Sequence, residues 1–182
     1  MRQLLLGGAR SGKSRLAEQL ASQLEQQSAD IQVIYLATSE PAELYQDTEM
    51  AERISRHQSS RPSHWHLIEQ PLAIAEAIDN AAANSCLLID CLTLWLSNQM
   101  ARSTDNTALD QALQTLSASV ENTHCELIMV SNEVGQGIVP ADPLSRLFRD
   151  YSGWMHQQLA QVCDRVILTT AGLPQVLKGE PI

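Results

Sequence analysis

The sequence predicts an α/β fold, a doubly wound and mainly parallel sheet, on three observations. Apolar runs of strand length recur at Gln3–Leu6, Ile31–Ala37, Cys86–Asp90, Glu126–Ser131 and Arg165–Thr170. Segments with apolar residues at helical spacing fall between them, the alternation that a parallel sheet needs for its crossovers. Glycine, hydroxyl and acidic residues follow directly after several of the runs, where open α/β sheets carry their ligands.

The first run leads into Gly7-Gly8-Ala9-Arg10-Ser11-Gly12-Lys13-Ser14, which reads G-x-x-x-x-G-K-S. Glycines in that pattern let the backbone turn its N–H groups toward phosphate oxygens. Lys13 is placed to reach the β- and γ-phosphates, and Ser14 to hold Mg²⁺ through its hydroxyl. Leu16, Ala17, Leu20, Ala21 and Leu24 then fall at helical spacing, so a helix N-terminus adds its dipole to the anion site. Strand, glycine loop and helix in this order make the sheet one of the P-loop nucleoside triphosphate hydrolase type.

The 182 residues contain no repeat, low-complexity tract or linker, so residues 1–182 read as a single P-loop nucleotide-binding domain. The net charge of −9 disfavours non-specific binding of nucleic acid or anionic membrane, and neither is expected as a partner. No segment approaches the length of a membrane span, and the residues before the glycine loop are too few for a signal peptide. Cys86, Cys91, Cys125 and Cys163 show no C-x-x-C pairing and read as free thiols, so a cytoplasmic location is expected.

The second strand, Ile31–Ala37, ends in Thr38-Ser39-Glu40-Pro41, which reads either as nucleotide contacts or as a turn. Asp47–Gln58 is expected as a helix, with Met50, Ile54 and His57 on one face and Pro62 stopping it. A histidine at such a helix end is either a capping and packing residue or a catalyst, and spacing does not choose. His64 and His66 flank Trp65 at period 2; without an evident third ligand they read as polar surface rather than as a metal pair. Pro71–Ala83 has the pattern of an alanine-rich amphipathic helix. Cys86–Asp90 is a buried strand with a carboxylate at its tip, the usual partner of a glycine loop in holding Mg²⁺.

Leu92–Met100 and Thr107–Val120 read as helices separated by a polar break. After Glu126–Ser131, the stretch Asn132–Pro140 contains two glycines and a proline and reads as a shaped loop, either a connector or part of the ligand crevice. Helix Leu144–Val162 carries Arg146 and Arg149 on one face; they pair with Asp142 and Asp150 or they grip phosphate. Arg165–Thr170 is the last expected strand, and the tail beyond it shows no pattern.

Several of these stretches occur together in order: the glycine loop, Arg53-Ile54-Ser55-Arg56-His57, Arg61-Pro62 with Trp65, Asn132–Pro140, and Phe148-Arg149-Asp150. The set resembles the bifunctional adenosylcobinamide kinase / adenosylcobinamide-phosphate guanylyltransferase family of cobalamin biosynthesis, over most of the chain. The resemblance implies two reactions. A γ-phosphoryl group passes from ATP or GTP to the hydroxyl of adenosylcobinamide. GTP then guanylylates an enzyme histidine, and GMP passes on to the cobinamide phosphate to give adenosyl-GDP-cobinamide. By position the guanylylated histidine matches His57. The place before it, where relatives often have a second histidine, holds Arg56. The resemblance also implies nucleotide contacts from Thr38, Ser39, Glu40, Gln58, Ser59, Ser60, Arg61, Glu69 and Asp90, and a homotrimer. Where the family usually shows Asn-Gln, this chain has His156-Gln157, and no catalytic role is assigned to His156.

Neutral imidazole attacks phosphorus well and leaves again, so a histidine can divide one hard transfer into two easier ones. A simple small-molecule kinase would leave His57 unused. A GTP-dependent switch would need N-K-x-D and D-x-x-G motifs, which the chain lacks.

Overall fold

The computed structural model describes residues 1–39, 62–103 and 105–182. Along these, the elements are β1 (Arg2–Gly7), α1 (Lys13–Gln27), β2 (Gln32–Ala37), β3 (His66–Glu69), α2 (Ile74–Asp79), β4 (Ser85–Asp90), α3 (Leu92–Arg102), α4 (Asn106–Asn122), β5 (Glu126–Asn132), α5 (Pro143–Val162), β6 (Arg165–Thr170) and β7 (Leu173–Lys178). The strands form one sheet in the order β3-β2-β4-β5-β1-β6-β7, parallel except for the β6–β7 pair. The expected doubly wound α/β architecture is the one observed.

The strands are apolar on both faces because helices cover both. Leu4, Leu36, Leu87, Ile89, Leu127 and Met129 face a core completed by α2, α3, α4 and α5. Leu5, Val33, Leu88, Ile128, Val130 and Ile167 face the other way, onto Ala17, Leu20 and Ala21 of α1. Leu4 and Leu5 are fully buried on opposite sides of β1. Each such side chain contributes about 1.5–3 kcal/mol, which makes β1 a fixed base for the loop that follows.

Register brings the strand tips level. Gly7 lies opposite Asn132 of β5 and Thr169 of β6, while Asp90 lies opposite Ala37 of β2 and Val130 of β5. The described crevice residues expected from the ends of parallel strands therefore emerge at the same edge.

Three expectations need correction. The helix expected over Pro71–Ala83 is only Ile74–Asp79. Gln70 Oε1 takes the N–H groups of Leu72 and Ala73 before the helix can start, and Ser85 bonds back to Ala82 after it ends. The tail is not patternless but forms β7. Ala171 and Gly172, at φ 53° and 81°, make a two-residue turn of the kind that joins antiparallel strands. Pro174 is tolerated because β7 is the sheet's edge. Finally, of the two readings of Arg146 and Arg149, the ion pairs with Asp142 and Asp150 are not formed, although the Arg146 charge helps to lower the Asp142 pKa. Asp142 instead caps α5 by accepting Ser145 N–H and O–H, and Arg146 donates to the carbonyls of Pro140 and Ala141. Arg149 Nη1 is buried with no hydrogen-bond partner among the described residues. The four cysteines are free thiols, as expected.

Candidate functional site

The glycine loop runs from the tip of β1 to the first turn of α1. Gly7 cannot carry a side chain: a Cβ there would stand 2.5 Å from both Ser11 Oγ and the Thr169 carbonyl. Gly12 adopts φ 97°, a conformation open to glycine, and its carbonyl accepts Leu16 N–H at 3.0 Å to begin the helix. Ser11 N–H closes onto Gly8, and the Ser11 carbonyl accepts Gly172 N–H at 2.8 Å. The β6–β7 turn thus braces the loop from outside, a support that the sequence did not reveal. Backbone N–H groups at a helix start, with the helix dipole behind them, form an anion site.

Lys13 is buried, and its Nζ donates to the Gly8 carbonyl at 3.0 Å. Burial lowers its pKa, and the Asp90 carboxylate pulls the other way. Ala9, Arg10, Ser11, Gly12, Lys13, Ser14, Asp90, Cys91 and Asn132 line one cavity of about 520 Å³. Asp90 Oδ2 accepts the Tyr35 hydroxyl at 2.9 Å, which aims the carboxylate from the neighbouring strand. Ser14 and Asp90 therefore offer oxygen donors to one space, the donor type that Mg²⁺ prefers.

Thr38 is wholly buried, and its hydroxyl is committed to the backbone of Cys91. It donates to the carbonyl at 2.8 Å and accepts the N–H at 2.9 Å, tying the tip of β2 to that of β4. Ser39 is buried beside it. Glu69 is exposed at the end of edge strand β3, opposite Ala37 and outside the residues that line the loop's cavity. The expected helix Asp47–Gln58 and the residues Glu40, Arg53, Arg56, His57, Gln58, Ser59, Ser60 and Arg61 lie outside the described residues. His64 Nε2 contacts both Glu25 oxygens at 3.0 and 3.1 Å, and among the described residues no group of three His, Cys, Asp or Glu side chains is placed to hold a metal.

The chain leaving β5 joins two further spaces. Glu133 and Gln136 line a cavity of about 410 Å³ with Gly8, Arg10, Ser11 and Thr169, against the loop's other side. Val134 and Pro140 line an apolar cavity of about 470 Å³ with Met100 and Ala101 of α3 and Leu144, Phe148 and Arg149 of α5. Sequence reasoning did not find these residues as one group, because they come from three separate elements. It also missed Cys91 as a lining residue, although it directly follows a strand at the crevice, whereas Asn132 bears out the crevice alternative given for the loop that it begins.

The whole chain has close relatives. A family model described as cobinamide kinase / cobinamide phosphate guanyltransferase matches residues 3–177. The bifunctional adenosylcobalamin biosynthesis protein CobP of Pseudomonas aeruginosa is 46% identical over 100% of both chains. The bifunctional adenosylcobalamin biosynthesis protein CobU of Escherichia coli is 36% identical over 96% of this chain and 98% of its own. Among solved structures, an ATPase domain superposes with a TM-score of 0.51 over 91% of this chain and 68% of that one. At 15% identity this last likeness speaks for the fold alone.

Proposed function

The chain belongs to the cobinamide kinase / cobinamide phosphate guanyltransferase family, and from that premise we propose how its residues divide the two reactions. The observation that carries the reading is the convergence of Lys13, Ser14 and Asp90 on one cavity at the glycine loop. A triphosphate, ATP or GTP in the first step and GTP in the second, lies along the loop's N–H groups. Lys13 stabilises charge on its β- and γ-phosphates. Ser14 and Asp90 would hold Mg²⁺, which when bound would offset polyphosphate charge.

The acceptor enters beside the loop. The apolar cavity between α3, α5 and residues 134–140 suits part of a large corrinoid, and Arg149 is the cationic residue among those that line it. The Arg149 guanidinium is in this reading a receptor for the phosphate monoester which the first reaction creates and the second consumes. Nucleotide contacts from Ser39, Glu40, Gln58, Ser59, Ser60, Arg61 and Glu69, with Thr38 behind them, belong to the same proposal and rest on family resemblance.

In the second step His57 attacks the α-phosphorus of GTP, a P–N bond forms, and pyrophosphate leaves. The acceptor's phosphate oxygen then displaces the imidazole and receives GMP. A homotrimer working in the cytoplasm, where nucleotide is supplied and thiols stay reduced, completes the reading.

The test uses GTP labelled at the α or γ position. Label at α should remain on denatured protein as an acid-labile, alkali-stable adduct, and label at γ should not. His57→Ala should abolish the adduct and keep the phosphorylation of cobinamide. An adduct that persists in His57→Ala assigns the nucleophile to another residue.

A further inference from the structure

Glu133 leaves β5 directly after Asn132, and its N–H donates to the Gly7 carbonyl at 2.9 Å. Its main chain is thereby fixed against the start of the glycine loop. Its carboxylate is held from two sides. Oε1 accepts Gly135 N–H at 2.6 Å, and Oε2 lies 3.7 Å from His156 Nδ1. His156 Nε2 in turn stands 2.7 Å from Ser131 Oγ. Ser131 and His156 are buried, whereas Glu133 is half-buried and opens onto the cavity beside Gly8, Arg10 and Ser11.

The direction of this chain follows from its donors. Burial lowers the His156 pKa against the pull of the Glu133 charge, which favours a neutral ring with one N–H. If Nε2 carried that hydrogen, the Nδ1 lone pair would face a carboxylate. With Ser131 O–H donating to Nε2, the ring hydrogen sits on Nδ1 and points at Glu133. Ser131 itself has no exposed surface, so it orients the ring and cannot meet a substrate. At 3.7 Å the Nδ1–Oε2 contact is electrostatic rather than a formed hydrogen bond, and contacts of this kind shorten when substrate completes a site. Asp90, the other carboxylate near the loop, accepts the Tyr35 hydroxyl and is the oxygen donor assigned to Mg²⁺ above.

We propose that Ser131 and His156 are positioning residues that hold Glu133 as the proton acceptor for the phosphoryl-transfer step, an inference that rests on the kinase reading above. The acceptor's hydroxyl oxygen forms a bond to the γ-phosphorus. The bond from phosphorus to the β–γ bridging oxygen breaks, and its electron pair leaves with the nucleoside diphosphate. The hydroxyl proton passes to Glu133. The guanylylation half-reaction needs no such proton acceptor, so Glu133 serves one step of the two.

The experiment uses the full chain with cobinamide and ATP, and separately with α-labelled GTP alone. Glu133→Gln should lower kcat for phosphorylation by ~10²-fold or more, the size of a general base, while GTP affinity and the histidine adduct stay as in the wild type. His156→Asn keeps an amide donor where Nδ1 stands and should hold kcat within about threefold; His156→Gln keeps only the Ser131 end and should lose about tenfold. A Glu133→Gln enzyme with undiminished kcat overturns the proposal, and equal losses in the two His156 variants remove His156 from it. A wild-type protein that phosphorylates no cobinamide overturns the kinase reading itself, which sets that failure apart.

Discussion

The glycine-loop cavity, lined by Asn132, and the apolar cavity, lined by Val134 and Pro140, share the chain at the end of β5 and are built in opposite ways. The glycine-loop cavity presents backbone N–H groups, a lysine, a serine and a carboxylate, all on or beside strand tips that register holds level. The apolar cavity presents side chains from α3, α5 and a connecting loop, with Arg149 as its cation. A triphosphate is the same in every enzyme that uses one, so main-chain geometry can hold it. A corrinoid is large and particular, and it needs side chains from elements that vary. On the proposed reading, nucleotide chemistry sits on the rigid sheet and acceptor choice on the helices.

The comparison breaks most sharply at Lys13. If one triphosphate site serves both reactions, Lys13→Ala should reduce phosphorylation and guanylylation together by at least ~10²-fold, the effect of removing a stabilising electrostatic group. Steady-state rates of the two reactions, measured separately, check this. Full guanylylation with lost phosphorylation would mean two nucleotide sites and would dissolve the contrast between the cavities.

A smaller effect should come from the other side. Arg149→Ala should raise KM for cobinamide phosphate in the second reaction about tenfold, as expected for losing a charge-assisted hydrogen bond. KM for unphosphorylated cobinamide in the first reaction should change little. An equal rise for both substrates would make Arg149 a wall of the cavity and not a phosphate receptor.

The smallest effect lies away from both cavities and serves as their control. Arg2, at the opposite end of β1, bonds Asp164 through its guanidinium at 2.6 Å and its N–H at 2.7 Å. The guanidinium hydrogen bond, more than any other contact, holds the Asp164 carboxyl down at about 2. A folded-state pKa below the unfolded value contributes stability above pH ~4 that is lost as pH falls toward 2. Because the pair is well exposed, the change should stay within ~1 kcal/mol. Urea titrations of Asp164→Asn and wild type between pH 5 and pH 2 should converge at the acid end, with both reactions at neutral pH untouched.

Much of this was legible in the residues. The strand runs, the glycine loop and the Asp90 tip each depend on neighbours in sequence: alternation of faces, positive φ at Gly12, a carboxylate ending an apolar run. Local patterns of this kind are written along the chain, and the fold class follows from their order. The family resemblance nominated His57, which lies outside the described residues, for a role that no spacing could decide.

What the sequence did not contain is any statement of distance between remote residues. Register alone set Gly7 level with Asn132 and Thr169, and sheet order alone put β1 between β5 and β6. Packing of α5 brought His156 to Ser131 and Glu133, although the ring reads along the chain as one more helix residue. The brace from Gly172 to Ser11 joins residues 161 positions apart, and the β7 edge that delivers it leaves Leu173 and Leu177 exposed and shows no strand alternation by which to announce itself. Local conformational preference chose the elements, whereas burial of two sheet faces chose their partners, and catalysis depends on the partners.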